Sequence, residues 1–187
     1  MITVVSGLPR SGTSLLMQML HAGGYPILSD EHRPPDADNP RGYFELQQVR
    51  ALERDSSWIA AAEDKAIKVV SPLLHSLPSQ HVYRVIFMRR DLDEVLASQE
   101  RMLQRRGQPT GPDRSLMHSH FARHLDTVTT WLAAQSHVSV RYFDYATVLT
   151  DAQQTALQIS EFLQTPLDIS SMATAVDPAL YRQRGQA

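Results

Sequence analysis

One turn constrains this chain more than any other part of it. The β-branched run Ile2-Thr3-Val4-Val5-Ser6 predicts a buried strand. Thr13 to His21, with Leu15, Leu16, Met19 and Leu20 at helical spacing, predicts a helix that ends at Gly23-Gly24. Between them lies Gly7-Leu8-Pro9-Arg10-Ser11-Gly12-Thr13-Ser14. Such a strand–turn–helix aims the amides of the turn and of the first helical turn at one spot. The helix dipole adds positive potential there, so the unit cradles an anion. The spacing follows the phosphate-loop pattern G-x-x-x-x-G-K-[ST] with one departure, Thr13 at the lysine position. The plain alternative is a tight turn with Thr13 or Ser14 near an N-cap.

The missing lysine has a chemical consequence. A nucleoside-triphosphate site uses that lysine and a strand-end Asp to hold Mg²⁺ and a highly charged γ-phosphate. Here the predicted strand Val82 to Met88 runs into Arg89-Arg90, and the other strand-end acid is Asp144, after Val140-Arg141-Tyr142-Phe143. The pattern suggests an anion held by arginine and backbone donors, and no metal is expected.

The rest of the chain alternates strands and helices. Ala66 to Val70, Val82 to Met88 and Val138 to Tyr142 read as strands. Leu46 to Asp55, Asp91 to Arg105, Ser115 to Ala134, Asp151 to Leu163 and a piece at Ile169 to Ala173 read as helices. This order predicts an α/β fold with a central, mostly parallel sheet, and 187 residues suit one domain over 1–187. The polar stretch Ser29 to Arg41 and the Gly/Pro-rich stretch Arg106 to Arg114 are long loops, candidates for lids.

Composition removes several classes of function. There are no cysteines, which excludes disulfides, thiolate metal sites and cysteine nucleophiles. Eighteen Lys+Arg against 20 Asp+Glu argue against a nucleic-acid coat, so any anion site must be local. No apolar run is long enough to span a bilayer. The opening residues lack the basic region of a signal peptide, and the expectation is a cytoplasmic protein without a membrane or nucleic-acid partner. The sequence leaves the oligomeric state open.

Two segments together resemble the sulfotransferase family, which takes a sulfuryl group from 3′-phosphoadenosine 5′-phosphosulfate. Leu8 to Ser14 is similar to the family's 5′-phosphosulfate loop, P-[KR]-S-G-T-[ST]. Arg90-Asp91-Leu92-Asp93-Glu94-Val95-Leu96-Ala97-Ser98 is similar to its 3′-phosphate motif, an Arg after the third strand with a Ser eight residues on; Leu92 replaces the usual Pro. Asn39-Pro40-Arg41-Gly42-Tyr43-Phe44-Glu45 is similar to the NP-x-GYFE stretch of bacterial members, and Lys68-Val69-Val70-Ser71-Pro72 to the lysine that ends the second strand. Asp177 to Arg184 is similar to the closing segment of bacterial relatives, whereas the animal-type R-K-G-x-x-G ending is absent.

The resemblance implies the three-layer sandwich of P-loop nucleotide-binding proteins and a small-molecule acceptor. It implies that Pro9, Arg10, Ser11, Gly12, Thr13 and Ser14 bind the phosphosulfate, that Arg90 and Ser98 bind the 3′-phosphate, and that Arg182 and Arg184 contribute to the donor site. Read without it, Arg90 is a solvated residue before a helix and Ser98 a small residue on a buried face.

Transfer of SO₃ builds negative charge on the bridging oxygen, so cations and N–H donors are the means of catalysis. Arg10 and Lys68 are the candidates. Glu45 is the first choice of base, with Tyr43 and Phe44 beside it to desolvate the carboxylate and raise its basicity. His32 is the second choice. His118, His120 and His124 lack a zincin pattern and read as a helix surface, and Arg101, Arg105 and Arg106 as a basic helix end that could border an anionic acceptor. The alternatives to a sulfotransferase are a small-molecule kinase using ATP-Mg and a non-catalytic nucleotide-binding module.

Overall fold

The computed structural model describes residues 1–30, 32–36, 39, 41–109 and 111–177. Four strands form one sheet: β1 (Ile2–Gly7), β2 (Ala66–Lys68), β3 (Tyr83–Arg89) and β4 (Val138–Asp144). Their order is β2-β1-β3-β4 and every neighbouring pair is parallel. The six α-helices among the described residues are α1 (Thr13–Ala22), α2 (Leu92–Arg105), α3 (Arg114–Ala134), α4 (Tyr145–Thr150), α5 (Ala152–Leu163) and α6 (Ile169–Thr174).

Alternation along the central strands makes the layers. Val5, Ile86 and Met88 face a core completed by Leu16, Leu20, Ile159 and Met172 from α1, α5 and α6. Val4, Val85, Phe87 and Ile67 face the opposite side, where Val128 and Leu132 of α3 close a second core with Ile59 and Leu74. Burial of each such side chain contributes about 1.5–3 kcal/mol. Helix packing on both faces is what a parallel sheet requires, and it yields the expected three layers.

Helices α2, α3, α5 and α6 begin where aspartates cap them. Asp91 accepts from the Glu94 amide at 3.1 Å, Asp113 from Ser115 and Leu116, Asp151 from Gln154, and Asp168 from Ser171. The helix expected over Leu46 to Asp55 is shorter and tighter, a 3₁₀ helix at Gln47–Ala51. Its buried residues are Leu46, Val49 and Leu52. A spacing of three matches the 3.0-residue 3₁₀ turn better than the 3.6-residue α turn. Two further 3₁₀ helices, Ser57–Ala62 and Ser71–Ser76, and the short α4 lie outside the sequence-based expectations. Strand β2 stops at Lys68, two residues short of the expected end, and this puts Lys68 at the carboxyl edge of the sheet beside the phosphate loop. No helix among the described residues is long and apolar enough to cross a membrane.

Candidate active site

The turn between β1 and α1 is built on two glycines. A Cβ on Gly7 would stand 2.6 Å from the Met88 carbonyl oxygen, and one on Gly12 would stand 2.5 Å from the Tyr145 ring. Gly12 also has φ 108, left-handed backbone at the N-cap of α1. The cap makes no side-chain hydrogen bond, so the amides of the first helical turn open toward whatever lies above the loop. Ser11 turns the other way. Its amide bonds Leu8 O at 3.1 Å, and its buried hydroxyl lies under the loop without a hydrogen-bond partner.

Arg10 takes a left-handed conformation, φ 72, which for a side-chain-bearing residue is held only by its surroundings. Arg90 and Ser98 help to hold it. Arg90 Nη1 donates to the Arg10 carbonyl at 3.2 Å, and Arg10 Nε donates to Ser98 Oγ at 3.1 Å. Arg90 is itself almost enclosed. It pairs with Glu94 at 2.9 Å one helical turn on, and its guanidinium lies 4.3 Å from the centre of the Tyr145 ring. The expected 3′-phosphate residues and the phosphate loop thus form one connected unit.

A second cluster faces the loop. Lys68, 6% exposed, donates from Nζ to Ser14 Oγ at 3.3 Å and to the Tyr43 carbonyl, and pairs with Glu45 Oε1 at 3.3 Å. Glu45 also meets Arg33 at 2.9 Å and Arg50 at 3.2 Å. Burial pulls the Lys68 pKa down to about 8; Glu45 opposes the shift, while Arg33 and Arg10 add to it. Burial pushes the Glu45 carboxyl up, but Lys68, Arg33 and Arg50 outweigh it and leave its pKa below the usual value. The net shift is opposite to the expected gain in basicity. Phe44, at φ 50, packs its ring on His21 at 5.7 Å, and three cations surround the carboxylate instead. Tyr43 carries the Arg33 guanidinium 3.3 Å above its ring and donates its hydroxyl to Asp36 at 2.6 Å. Burial and that bond push its pKa to about 12.

Both clusters line one cavity of about 580 Å³. Its floor is Pro9, Arg10, Gly12, Thr13 and Ser14, and its sides carry Glu45, Lys68, Arg90, Ser98 and Tyr145. Beyond them it continues along α2 and α3. The volume is that of a small-molecule or cofactor site. The set of groups—amides at a helix start, one lysine, several arginines and a hydroxyl—can neutralise phosphate and sulfate oxygens.

No protein-family model and no curated protein sequence matches the chain. Solved structures do. The sulfotransferase domain of the Synechococcus PCC 7002 olefin synthase aligns with 99% of this chain and 88% of its own, at a TM-score of 0.61 and 17% identity. The chain has the sulfotransferase fold. The sulfotransferase domain from the curacin biosynthetic pathway aligns with 96% of this chain and 88% of its own, at 0.56 and 15% identity. A mouse sulfotransferase complexed with PAP aligns with 94% of this chain, which spans 62% of the mouse chain, at 0.53 and 17% identity.

Within this sulfotransferase fold, Pro9, Arg10, Gly12, Thr13, Ser14, Glu45, Lys68, Arg90 and Ser98 meet at the cavity. Ser11 supports the loop from below. His32 is exposed and is not among the lining residues, its amide donating to Asp30 at 3.0 Å. Arg182 and Arg184 lie outside the described residues. His124 is half-buried against Ser71, 2.9 Å from its hydroxyl, rather than on an open helix surface. Sequence reasoning missed Tyr145, Arg33 and Glu94. Tyr145 follows β4 directly, and the end of a parallel strand beside a phosphate loop is a place to look for site residues. Glu94, four residues after Arg90, carried the helical ion-pair signal.

Proposed function

We propose that the chain is a sulfotransferase, transferring a sulfuryl group from 3′-phosphoadenosine 5′-phosphosulfate to a hydroxyl or amine of a small acceptor. The observation that carries this reading is the position of Lys68. The loop lacks its own lysine at Thr13, and the ammonium from the end of β2 reaches Ser14 in the same cavity. The bound PAP of the mouse neighbour supports the same donor class. In this reading the Pro9 to Ser14 loop holds the 5′-phosphosulfate with the amides and hydroxyls that face the cavity, Ser11 bracing it from below, and Arg90 and Ser98 take the 3′-phosphate.

The step is an in-line displacement at sulfur. A bond forms from the acceptor oxygen or nitrogen to sulfur, the bond from sulfur to the bridging oxygen breaks, and 3′,5′-adenosine bisphosphate leaves. Lys68 and Arg10 offset the charge on the bridging oxygen. Glu45 takes the acceptor proton. Three cations make it a weak base, which suffices when the proton is lost late, after bonding to sulfur has acidified the acceptor. His32, on the surface, is the second candidate for that role.

Calorimetry tests the reading. 3′,5′-Adenosine bisphosphate should bind without Mg²⁺ and more tightly than ATP-Mg. Arg90→Ala should weaken it by about ten- to a hundredfold, the scale of a lost charge-assisted contact, while affecting 5′-AMP much less. Tighter binding of ATP-Mg would favour a kinase, and equal losses for the two adenosine phosphates would remove Arg90 from the 3′-phosphate.

A further inference from the structure

The cavity continues past the groups that the transfer uses, and its extension has an ordered chemistry. One stripe of α2 and its C-cap forms the wall: Ser98, Gln99, Met102 and Arg105, then Arg106 at the cap, at i, i+1, i+4, i+7 and i+8. Met117 and Phe121, one turn apart on α3, stand in the same cavity. From the loop outward the lining is hydroxyl and amide, then two methionines and a phenylalanine, then two guanidiniums. At 1.5 Å per residue the stripe from Ser98 to Arg106 spans about 12 Å.

The stripe contains no carboxylate. The acids of α2 that flank it, Asp93 and Glu100, are engaged by Arg114 at the start of α3, each at 3.2 Å. That tie links α2 to the start of α3, the two helices whose side chains line this part of the cavity. Arg106 faces Asp36 at 3.6 Å, both groups about two-fifths exposed, a pair that an incoming anion can displace. Asp177, the other acid on this side of the lining, is paired with Arg41 at 3.2 Å.

We propose that the acceptor is an amphiphile, a hydroxylated compound with an apolar body that lies on Met102, Met117 and Phe121 and an anionic end that binds Arg105 and Arg106. This rests on the sulfuryl-transfer reading for the direction in which the acceptor lies. The reacting hydroxyl points toward Lys68 and Ser14, and the anion points out to the rim. The two arginines then act as specificity residues, selecting an acid over its neutral counterpart by charge-assisted, fork-like hydrogen bonds. Met102 and Met117 supply an apolar surface that adapts to chain shape.

The probes are 8-hydroxyoctanoate and its methyl ester, titrated calorimetrically into the full chain with and without saturating 3′,5′-adenosine bisphosphate. The acid should bind about tenfold or more tightly than the ester. R105Q/R106Q should bring the acid down to the ester's affinity while holding the bisphosphate affinity within about twofold, a change worth under half a kcal/mol. Equal affinities in the wild-type chain, no binding of either probe, or discrimination that survives the double substitution would each overturn the proposal. So would a large loss of bisphosphate affinity in R105Q/R106Q, which would assign the arginines to the donor. A chain that fails to bind the bisphosphate but still discriminates acid from ester would sink the donor reading and leave the anion site standing.

Discussion

At Lys68 the proposed role in transfer is set against stability within a single side chain. Its ammonium is almost wholly enclosed, and burial pulls its pKa from 10.5 to about 8. An unfolded chain keeps that proton up to the ordinary lysine value. Between about pH 8 and 10.5 the unfolded state therefore binds more protons than the native one, and stability rises with pH across that window. Below it the native state bears the full cost of the buried charge, about 3 kcal/mol by the size of the shift. Glu45 retains Arg33 and Arg50 when Lys68 is removed, so Lys68→Met should leave no isolated carboxylate. The variant should be about 1–3 kcal/mol more stable at pH 7, with the difference fading toward pH 10.5, while turnover falls by about 10²–10³. Denaturant melts at the two pH values read the first effect and steady-state kinetics the second. A variant less stable at pH 7 would show that the ion pair with Glu45 outweighs the burial.

At the scale of elements, the phosphate loop depends on its neighbours for its shape. Gly12 combines a left-handed φ with a ring of α4 packed where a Cβ would go. Gly12→Ala should therefore cost about 2–4 kcal/mol, the sum of backbone strain and overpacking, and should abolish bisphosphate binding; a chemical melt and a titration check both. Undiminished binding would mean that the loop needs neither the left-handed turn nor the Tyr145 contact. The strand, the turn and the helix of this unit were all legible in the sequence, because period, glycine placement and spacing agreed locally. So were α2, α3 and α5, which are long, periodic and capped by aspartates. The helix expected over Leu46 to Asp55 is present only as a short 3₁₀ turn at Gln47–Ala51, a type and length that a few residues of apolar spacing do not specify. The placement of Lys68 and Arg90 at the cavity was legible from their motif positions. The cations around Glu45 were not, since Arg33, Arg50 and Lys68 converge on it from three separate segments. Neither was the ring of Tyr145 over Gly12, a contact between segments more than a hundred residues apart.

On the scale of the whole molecule, a chain of net charge −2 concentrates cations at one end of its sheet. Among the described residues, Arg10, Arg33, Lys68, Arg90, Arg105 and Arg106 line the cavity, against the acids Glu45 and Asp177. The site's attraction for polyanions is thus local and partly enclosed, and it is opposed only weakly by the distant surface charge. A ligand that binds the native chain and not the unfolded one stabilises it by mass action, by about 2.7 kcal/mol at a hundredfold excess over Kd. For a chain of this size each kcal/mol raises Tm by roughly 2–4 °C. Saturating 3′,5′-adenosine bisphosphate should then raise Tm by about 5–11 °C, with no requirement for Mg²⁺. Raising the salt concentration should weaken the shift at fixed ligand only in part, because salt screens long-range attraction at exposed charges and acts much less on the enclosed Arg90 and Lys68. Some stabilisation should therefore survive in high salt. A thermal-shift series in ligand and salt measures both effects. Complete loss of the shift in moderate salt would mean that the bisphosphate is held at the rim rather than in the loop, and the assignment of Arg90 and Lys68 to the donor and reacting groups would fail together.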